Sequence, residues 1–400
     1  MGPDPAVAQV RLGVRRCLAR ARLEPGDLVL VACSGGADSL ALAAAAAFEA
    51  PRLGLSAGGV TVDHGLQAGS AEQAAKVAEV LTAIGLDPVL SLSAAVAARP
   101  GAARCHGPTG TVAPGPGGGV ATGSADPGAA SPADPGDYPG PEAAARAARY
   151  RALDRAAAAS GAAVILLGHT RDDQAETVLL GLARGSGARS LAGMPERNGR
   201  YLRPLLGISR AETRAACAAQ NLEPWDDPQN ADPGYARARV RHRLLPVLER
   251  ELGPGVTEAL ARSADLLRAD ADLLDFLAQT ASERIAGGGR GASPRGSTAA
   301  AGPGLAIEEL AALPAAIRSR VLRNAAIAAG CRPGALTSGH VAALDALVTG
   351  WHGQRGADLP GGIRGQRRYG KLTFSANQRE DEPSSTPRQA SNREGAGGRD

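Results

Sequence analysis

The chain has 400 residues, of which 44% are hydrophobic and 21% charged, enough for two or three domains of roughly 150 residues with buried cores. A net charge of +4 and a pI near 9.0 are compatible with a nucleic-acid partner without requiring one. Several classes are disfavoured: no apolar run reaches the ~18 residues of a membrane span, Met1-Gly-Pro-Asp-Pro5 lacks the build of a secretory signal, and Cys17, Cys33, Cys105, Cys217 and Cys331 form no C-x-x-C of a zinc ribbon or cysteine-held cluster. The expectation is a soluble, cytoplasmic protein.

Residues 6–23 fit an amphipathic helix. Leu28-Val-Leu-Val-Ala32 is a short apolar run between Gly26-Asp27 and Ser34-Gly-Gly36, the pattern of a buried strand. An Ala-rich helix is predicted from about Asp38 to Ala50, then a strand at 59–62, a helix at 70–85 and a strand at 88–92. Residues 98–142 are almost wholly Gly, Pro, Ala, Ser and Asp, and are expected to form a disordered insertion because they bury too little to offset chain entropy. A helix over 153–160, a strand over 163–167 and a helix over 174–182 follow. This alternation predicts an α/β fold with a doubly wound, mostly parallel sheet covered on both faces. A domain boundary is placed near 225–235, followed by helices over 233–285 and 305–349 and a small hairpin over 357–375. Residues 286–304 read as a loop and 377–400 as a disordered tail.

The strongest local signal is Ser34-Gly-Gly-Ala-Asp-Ser39 between a strand and a helix. Gly35 and Gly36 permit a tight turn that brings backbone N–H groups close to a ligand. The following helix adds its unpaired N–H groups and the positive end of its dipole, completing a phosphate cradle to which Ser34 and Ser39 can donate. Asp38 would repel phosphate, and a Mg²⁺ ion bridging it to phosphate oxygens resolves that conflict. A Gly-containing turn with Asp and Ser as caps is the plainer alternative. The string is neither a Walker loop nor a Gly-x-Gly-x-x-Gly fingerprint.

Gly168-His-Thr-Arg-Asp-Asp-Gln-Ala-Glu-Thr177 follows the strand at 163–167, and ligands of open α/β sheets bind at such carboxyl ends. Asp173 and Glu176 are three apart and share one helix face. Two carboxylates so close call for a cation between them, an ammonium group or Mg²⁺. Asp172 reads instead as a helix N-terminal acid that complements the dipole. His169, at the strand end, is placed to contact phosphate or donate a hydrogen bond.

Ser-Gly-Gly-x-Asp-Ser after a first strand resembles the signature of the PP-loop ATPases, which cleave ATP between the α and β phosphates. Val62-Asp-His-Gly-Leu66, Gly-His-x-x-x-Asp-x-x-Glu-Thr, Arg184-Gly-Ser-Gly, Arg203-Pro-Leu-Leu, Trp225-Asp-Asp-Pro-Gln-Asn230 and Tyr235-Ala-Arg-Ala-Arg-Val-Arg-His-Arg-Leu-Leu-Pro246 narrow the resemblance to the tRNA(Ile)-lysidine synthetases. It spans about 25–95 and 145–285, and more loosely 305–375. The resemblance implies that ATP adenylates C2 of the wobble cytidine in the CAU anticodon of an isoleucine tRNA. The ε-amino group of free L-lysine then displaces AMP. On that basis Ser34, Gly35, Gly36, Ala37, Asp38 and Ser39 bind ATP, and Asp38 also serves Mg²⁺. Asp173 and Glu176 hold the lysine amines, while His169 and Arg184 contact phosphate or tRNA. His64, at the end of the second strand, takes either an adenine-side or substrate role or that of a turn histidine with a structural hydrogen bond. Residues 1–230 then form the PP-loop domain, 231–375 a mainly helical tRNA-binding domain, and 376–400 a disordered tail.

Arg237, Arg239, Arg241 and Arg243 alternate, so a helix makes i,i+4 pairs of 237 with 241 and of 239 with 243. They form either a solvated face paired to Glu249 and Glu251 or a phosphate-neutralising surface, and the resemblance favours the second reading for Arg237 and Arg241. Arg364, Arg367, Arg368 and Lys371 make a second basic set, suited to backbone and shape contacts. Two rivals stand beside this reading. A PP-loop tRNA thiolase commonly needs paired cysteines, which are absent. A non-catalytic nucleotide-binding module would need the cradle without Asp38, Asp173 and Glu176 together.

Overall fold

The computed structural model describes residues 2–63, 69–93, 141–185, 187–288 and 304–376, with the side chains of 141–145, 229, 287 and 288 left aside. His64, most of the 98–142 insertion and the tail lie outside the described residues. The chain divides into two compact units, Met1–Phe276 and Leu277–Asp400.

The first unit opens with α1 (Pro5–Arg20), β1 (Leu28–Ala32), α2 (Ala37–Glu49), β2 (Ser56–Asp63), α3 (Ser70–Ala83) and β3 (Val89–Ser93). Then come α4 (Pro141–Ser160), β4 (Val164–Leu167), α5 (Arg171–Ala183), α6 (Ala188–Leu191), β5 (Arg197–Asn198), β6 (Tyr201–Leu202) and α7 (Arg210–Ala218). One sheet runs β3-β2-β1-β4-β6-β5, parallel throughout except for the β5–β6 pair. The apolar run of β1 is explained by burial on both sides. Val29 and Val31 pack into a core built with α1, α2 and α7, and Leu30 packs on the opposite face with Leu153, Ala156 and Ala157 of α4. The alternation is the period-2 geometry of a strand. α4 begins at Pro141, earlier than the expected 153, so residues 141 and 142 of the expected insertion open this helix.

Chain order reverses at β1, whose neighbours are β2 on one side and β4 on the other. The crevice beyond the carboxyl ends of β1 and β4 is therefore the switch point where doubly wound sheets bind ligands. The loop at 34–36 and the turn at 168–170 both open onto it.

The Arg-rich stretch belongs to this first unit. It forms α8 (Ala236–Arg239), a π-helical turn (Val240–Leu244) and α9 (Leu245–Leu252), leading into α10 (Val256–Gly288). Val240 and Leu245 bury against Ala175 of α5, with Leu179, Leu180 and Leu260 around them. The division between units therefore falls at 276/277, beyond the 225–235 expected from the sequence.

The second unit carries β7 (Leu305–Ala306), α11 (Ile307–Ala311), α12 (Ala315–Ala328), α13 (Ser338–Thr349), β8 (Ala357–Leu359), β9 (Ile363–Arg368) and β10 (Lys371–Ala376). The expected hairpin is β9–β10, inside an antiparallel sheet of order β7-β10-β9-β8. The unit is helical with this sheet added.

Candidate active site

The loop after β1 is shaped by contacts that leave its N–H face open. Gly35 has φ +86°, a conformation that costs a residue with a Cβ roughly 1–2 kcal/mol. A Cβ there would also meet Val77 Cγ2 at 2.8 Å. Gly35 O accepts from Trp225 N at 2.9 Å, pinning the loop from outside. Inside, Ser39 Oγ donates to Gly36 O at 2.9 Å and accepts from Ser34 N at 3.2 Å. Gly36 is the N-cap of α2 and no side chain caps the helix, so its first N–H groups remain available to an anion. Gly168, opposite, would place a Cβ 3.1 Å from the backbone of Asp38 and Ser39. Its lack of a side chain lets the end of β4 approach the first turn of α2. Cys33 is buried beside the loop, and burial pushes its thiol pKa up, as expected of a small core residue.

Asp38, in the first turn of α2, is held by α7. Its Oδ1 accepts a short hydrogen bond from Thr213 Oγ1, and its Oδ2 lies 3.5 Å from Arg210 Nε. Burial raises the Asp38 pKa, against the opposing pull of Thr213 and Arg210.

The second cluster lies across the crevice. α5 starts with a capping box in which Asp173 Oδ2 accepts from Thr170 N at 2.8 Å and Thr170 Oγ1 at 3.0 Å. Asp173 Oδ1 is left for two guanidinium groups, Arg210 at 3.0 Å and Arg241 at 3.1 Å. Glu176, one turn on and fully buried, is met by Arg241 at 2.6 Å, Arg237 at 3.0 Å and Arg210 at 3.5 Å. Burial alone would raise the Asp173 pKa, but Arg210 and Arg237, with the Thr170 N–H, outweigh it and hold the carboxyl at about 2. Burial pushes His169 down to about 3, so its imidazole is neutral at physiological pH. Its Nδ1 is buried without a hydrogen-bond partner in the protein, an atom left for a ligand.

Arg210, which sequence reasoning did not single out, joins the two halves. Besides Asp38, Asp173 and Glu176 it touches Asp172, whose Oδ2 accepts from Arg210 N at 2.8 Å and whose Oδ1 lies 3.9 Å from Nη1. Asp172 therefore anchors the start of α7 as well as occupying the first turn of α5. The missed signal was Ser209-Arg-Ala-Glu212, an S-x-x-E string that marks a helix start. The structure shows that capping box, with Ser209 N donating to Glu212 Oε2 at 2.7 Å.

Of the expected basic residues, Arg237 and Arg241 face the carboxylates rather than Glu249 and Glu251. Arg239 donates to the carbonyls of Pro233 and Gly234 at 2.7 and 2.9 Å, and Arg243 is exposed. Arg184 is also exposed, at the C-terminal end of α5 and away from the Asp173–Glu176 turn. In the second unit Arg367 stacks over Trp351 at 4.8 Å. Arg368 and Lys371 are directly opposed across the β9–β10 turn, where like charges repel, and Tyr369 between them is wholly exposed.

The arrangement can bind an anion at the loop and a cation at the acids. Asp38, Asp172, Asp173 and Glu176 face Arg210, Arg237 and Arg241.

Comparison with known proteins agrees with this construction. The PP-loop domain family matches residues 14–101 and 134–248, and the TilS substrate binding domain matches 305–373. The tRNA(Ile)-lysidine synthase of Thermobifida fusca is 54% identical over 375 residues, covering 94% of this chain and 99% of that protein. That of Salinispora tropica is 52% identical over 373 residues, covering 92% and 96%. That of Streptomyces coelicolor is 49% identical over 401 residues, covering 94% and 99%. The chain belongs to the tRNA(Ile)-lysidine synthase family.

Proposed function

We propose that the protein is an ATP-dependent ligase that converts the wobble cytidine of a CAU-anticodon isoleucine tRNA to lysidine. In the first step the cytidine C2 oxygen attacks the α-phosphate of ATP and pyrophosphate leaves. In the second, the ε-amine of L-lysine attacks C2, AMP departs with the former C2 oxygen, and a proton is released.

The observation that carries this reading is Arg210 lying between Asp38 beside the phosphate loop and the acids of α5. ATP and a cationic nucleophile are thereby drawn to one crevice. In the proposed roles, the N–H groups of Gly36, Ala37, Asp38 and Ser39, with the hydroxyl of Ser34, cradle the pyrophosphate portion, while the Ser39 hydroxyl braces the loop from inside. Asp173 and Glu176 hold the lysine ammonium, which takes over contacts now made by Arg241 and Arg237. Neutral His169 offers Nδ1 to ATP or cytidine.

Mg²⁺ fits this set in one way. Asp38 would be the carboxylate that holds it; among the described residues no three His, Cys, Asp or Glu side chains converge on an ion. When bound it would neutralise charge on the leaving pyrophosphate. The exposed tip Arg368-Tyr-Gly-Lys371 gives the second unit a site for the tRNA backbone, whose charge would relieve the repulsion across the turn. No described helix is long and apolar enough to cross a membrane, and a cytoplasmic location is part of the same reading.

The test is AMP release from ATP with L-lysine and an unmodified CAU-anticodon isoleucine tRNA transcript, beside a methionine tRNA with the same anticodon. Release requiring both lysine and the isoleucine tRNA is expected. ATP binding without release on either tRNA would return the acceptor to an open question. Asp38→Asn should abolish release. If tRNA-dependent release persists in that variant, the proposed role of Asp38 fails.

A further inference from the structure

Away from the crevice, the first unit holds an open cleft of 320 Å³ whose lining includes Arg11, Phe48, Arg52, Ile84, Gln220 and Leu222. Arg11 on α1 and Arg52 just beyond α2 each place the guanidinium carbon 3.4 Å from the centroid of the Phe48 ring. Two guanidinium groups cannot share that position, so they take opposite faces of one ring.

The two cations are not equally satisfied. α2 ends at Glu49, and the partial negative charge of a helix C-terminus favours one positive group there. Arg52 is that group, since its Nη1 donates to the Phe48 carbonyl. Arg11 Nε, by contrast, is buried with no hydrogen-bond partner. The acid that acts on it is Glu49, fully buried and already held by Arg15 in two bonds of 2.8 and 2.9 Å. Burial lowers the Arg11 pKa, Glu49 opposes that pull, and Arg52 adds to it. A buried guanidinium nitrogen without an acceptor is costly unless something supplies one.

We propose that this cleft is an anion site, taking a small phosphate monoester. Arg11 and Arg52 would bind its oxygens, and Ile84 and Leu222 would flank its apolar substituent. Phe48 stands eleven residues along α2 from Ala37, about 16 Å at the helical rise. The cleft is therefore separate from the phosphate loop at the other end of the same helix, and the inference does not rest on the proposed ligase activity.

The test is calorimetric titration of the full-length protein with phenyl phosphate and with inorganic phosphate, the loop being saturated by a non-hydrolysable ATP analogue. One saturable site is expected, tighter for phenyl phosphate, and weakened at least tenfold in Arg11→Gln and in Arg52→Gln. Arg52 is exposed, so its variant reports even if Arg11→Gln folds poorly. Absence of saturable binding to the wild type with the loop occupied would overturn the proposal. So would unchanged binding in Arg52→Gln.

Discussion

Arg210 Nε lies 3.5 Å from Asp38 Oδ2, tying the first turn of α7 to the first turn of α2. The same guanidinium reaches Asp173 at 3.0 Å and Glu176 at 3.5 Å. One side chain thus spans the switch point of the sheet. A ligand that displaces it from the acids frees it toward Asp38 and the phosphate loop. On the proposed reading, arrival of lysine and charge at the ATP phosphates are coupled through one guanidinium.

Arg210→Met is expected to be strongly destabilising. It leaves Asp38, Asp173 and Glu176 with fewer partners in a partly dry site, and removing one member of a buried ion pair costs about 3–5 kcal/mol. The urea midpoint should fall accordingly, and AMP release with it. Arg210→Lys should recover only part of both, since an ammonium lacks the fork that meets several carboxylates at once. A midpoint unchanged in Arg210→Met would show that the network is not holding the site together.

Asp173→Asn and Glu176→Gln separate the two substrates. Each removes a charge from the proposed ammonium site while leaving the loop intact. The KM for lysine should rise about ten- to a hundredfold, the worth of a charged hydrogen bond, with the KM for ATP within about twofold. Steady-state AMP release at varied lysine and at varied ATP reads both. Equal increases in the two constants would assign these acids to holding the fold rather than the lysine.

Much of this was legible in the sequence, for reasons that particular residues show. β1 is apolar at every position because both its faces are buried, and its glycine loop stands out by composition. Asp173 and Glu176 are three apart on one helix, so their shared face follows from spacing. Arg210 was not legible. It comes from a helix distant in sequence, and its importance lies in what it touches, which only the folded sheet brings together. The fate of Arg237 and Arg241 was hidden likewise: their spacing gives a basic face, but burial of Val240 and Leu245 against α5 turns two of them onto Glu176.

Gly35→Ala tests the loop directly. At φ +86° an alanine carries a conformational cost of roughly 1–2 kcal/mol, and its Cβ would sit 2.8 Å from Val77 Cγ2. Gly26→Ala is the matched control, with φ +91° and nothing within 4 Å of the added Cβ. Both should lose stability in urea, Gly35→Ala by more. Only Gly35→Ala should weaken ATP binding, because α3 would press the loop out of shape. Equal ATP affinity in the two variants would dissociate the loop from ATP.

His169 sets an acid limit on stability. Its pKa is about 3 in the fold, from burial, against an ordinary value of 6.5. Between those values the unfolded chain holds the proton and the folded chain does not, so stability rises with pH. The contribution is therefore complete above 6.5 and is lost as pH falls toward 3, by up to about 1.4 kcal/mol per unit from this one group. Asp173, held at about 2 against 3.8, adds a second loss that begins only below about pH 4, as its carboxylate is protonated. Urea unfolding at intervals from pH 7 to 5 stays above the range in which Asp173 is protonated. The wild type should weaken steadily across that range, and His169→Gln, which has no proton to gain there, should show a flatter profile. Parallel profiles for the two proteins would place the acid sensitivity elsewhere in the chain.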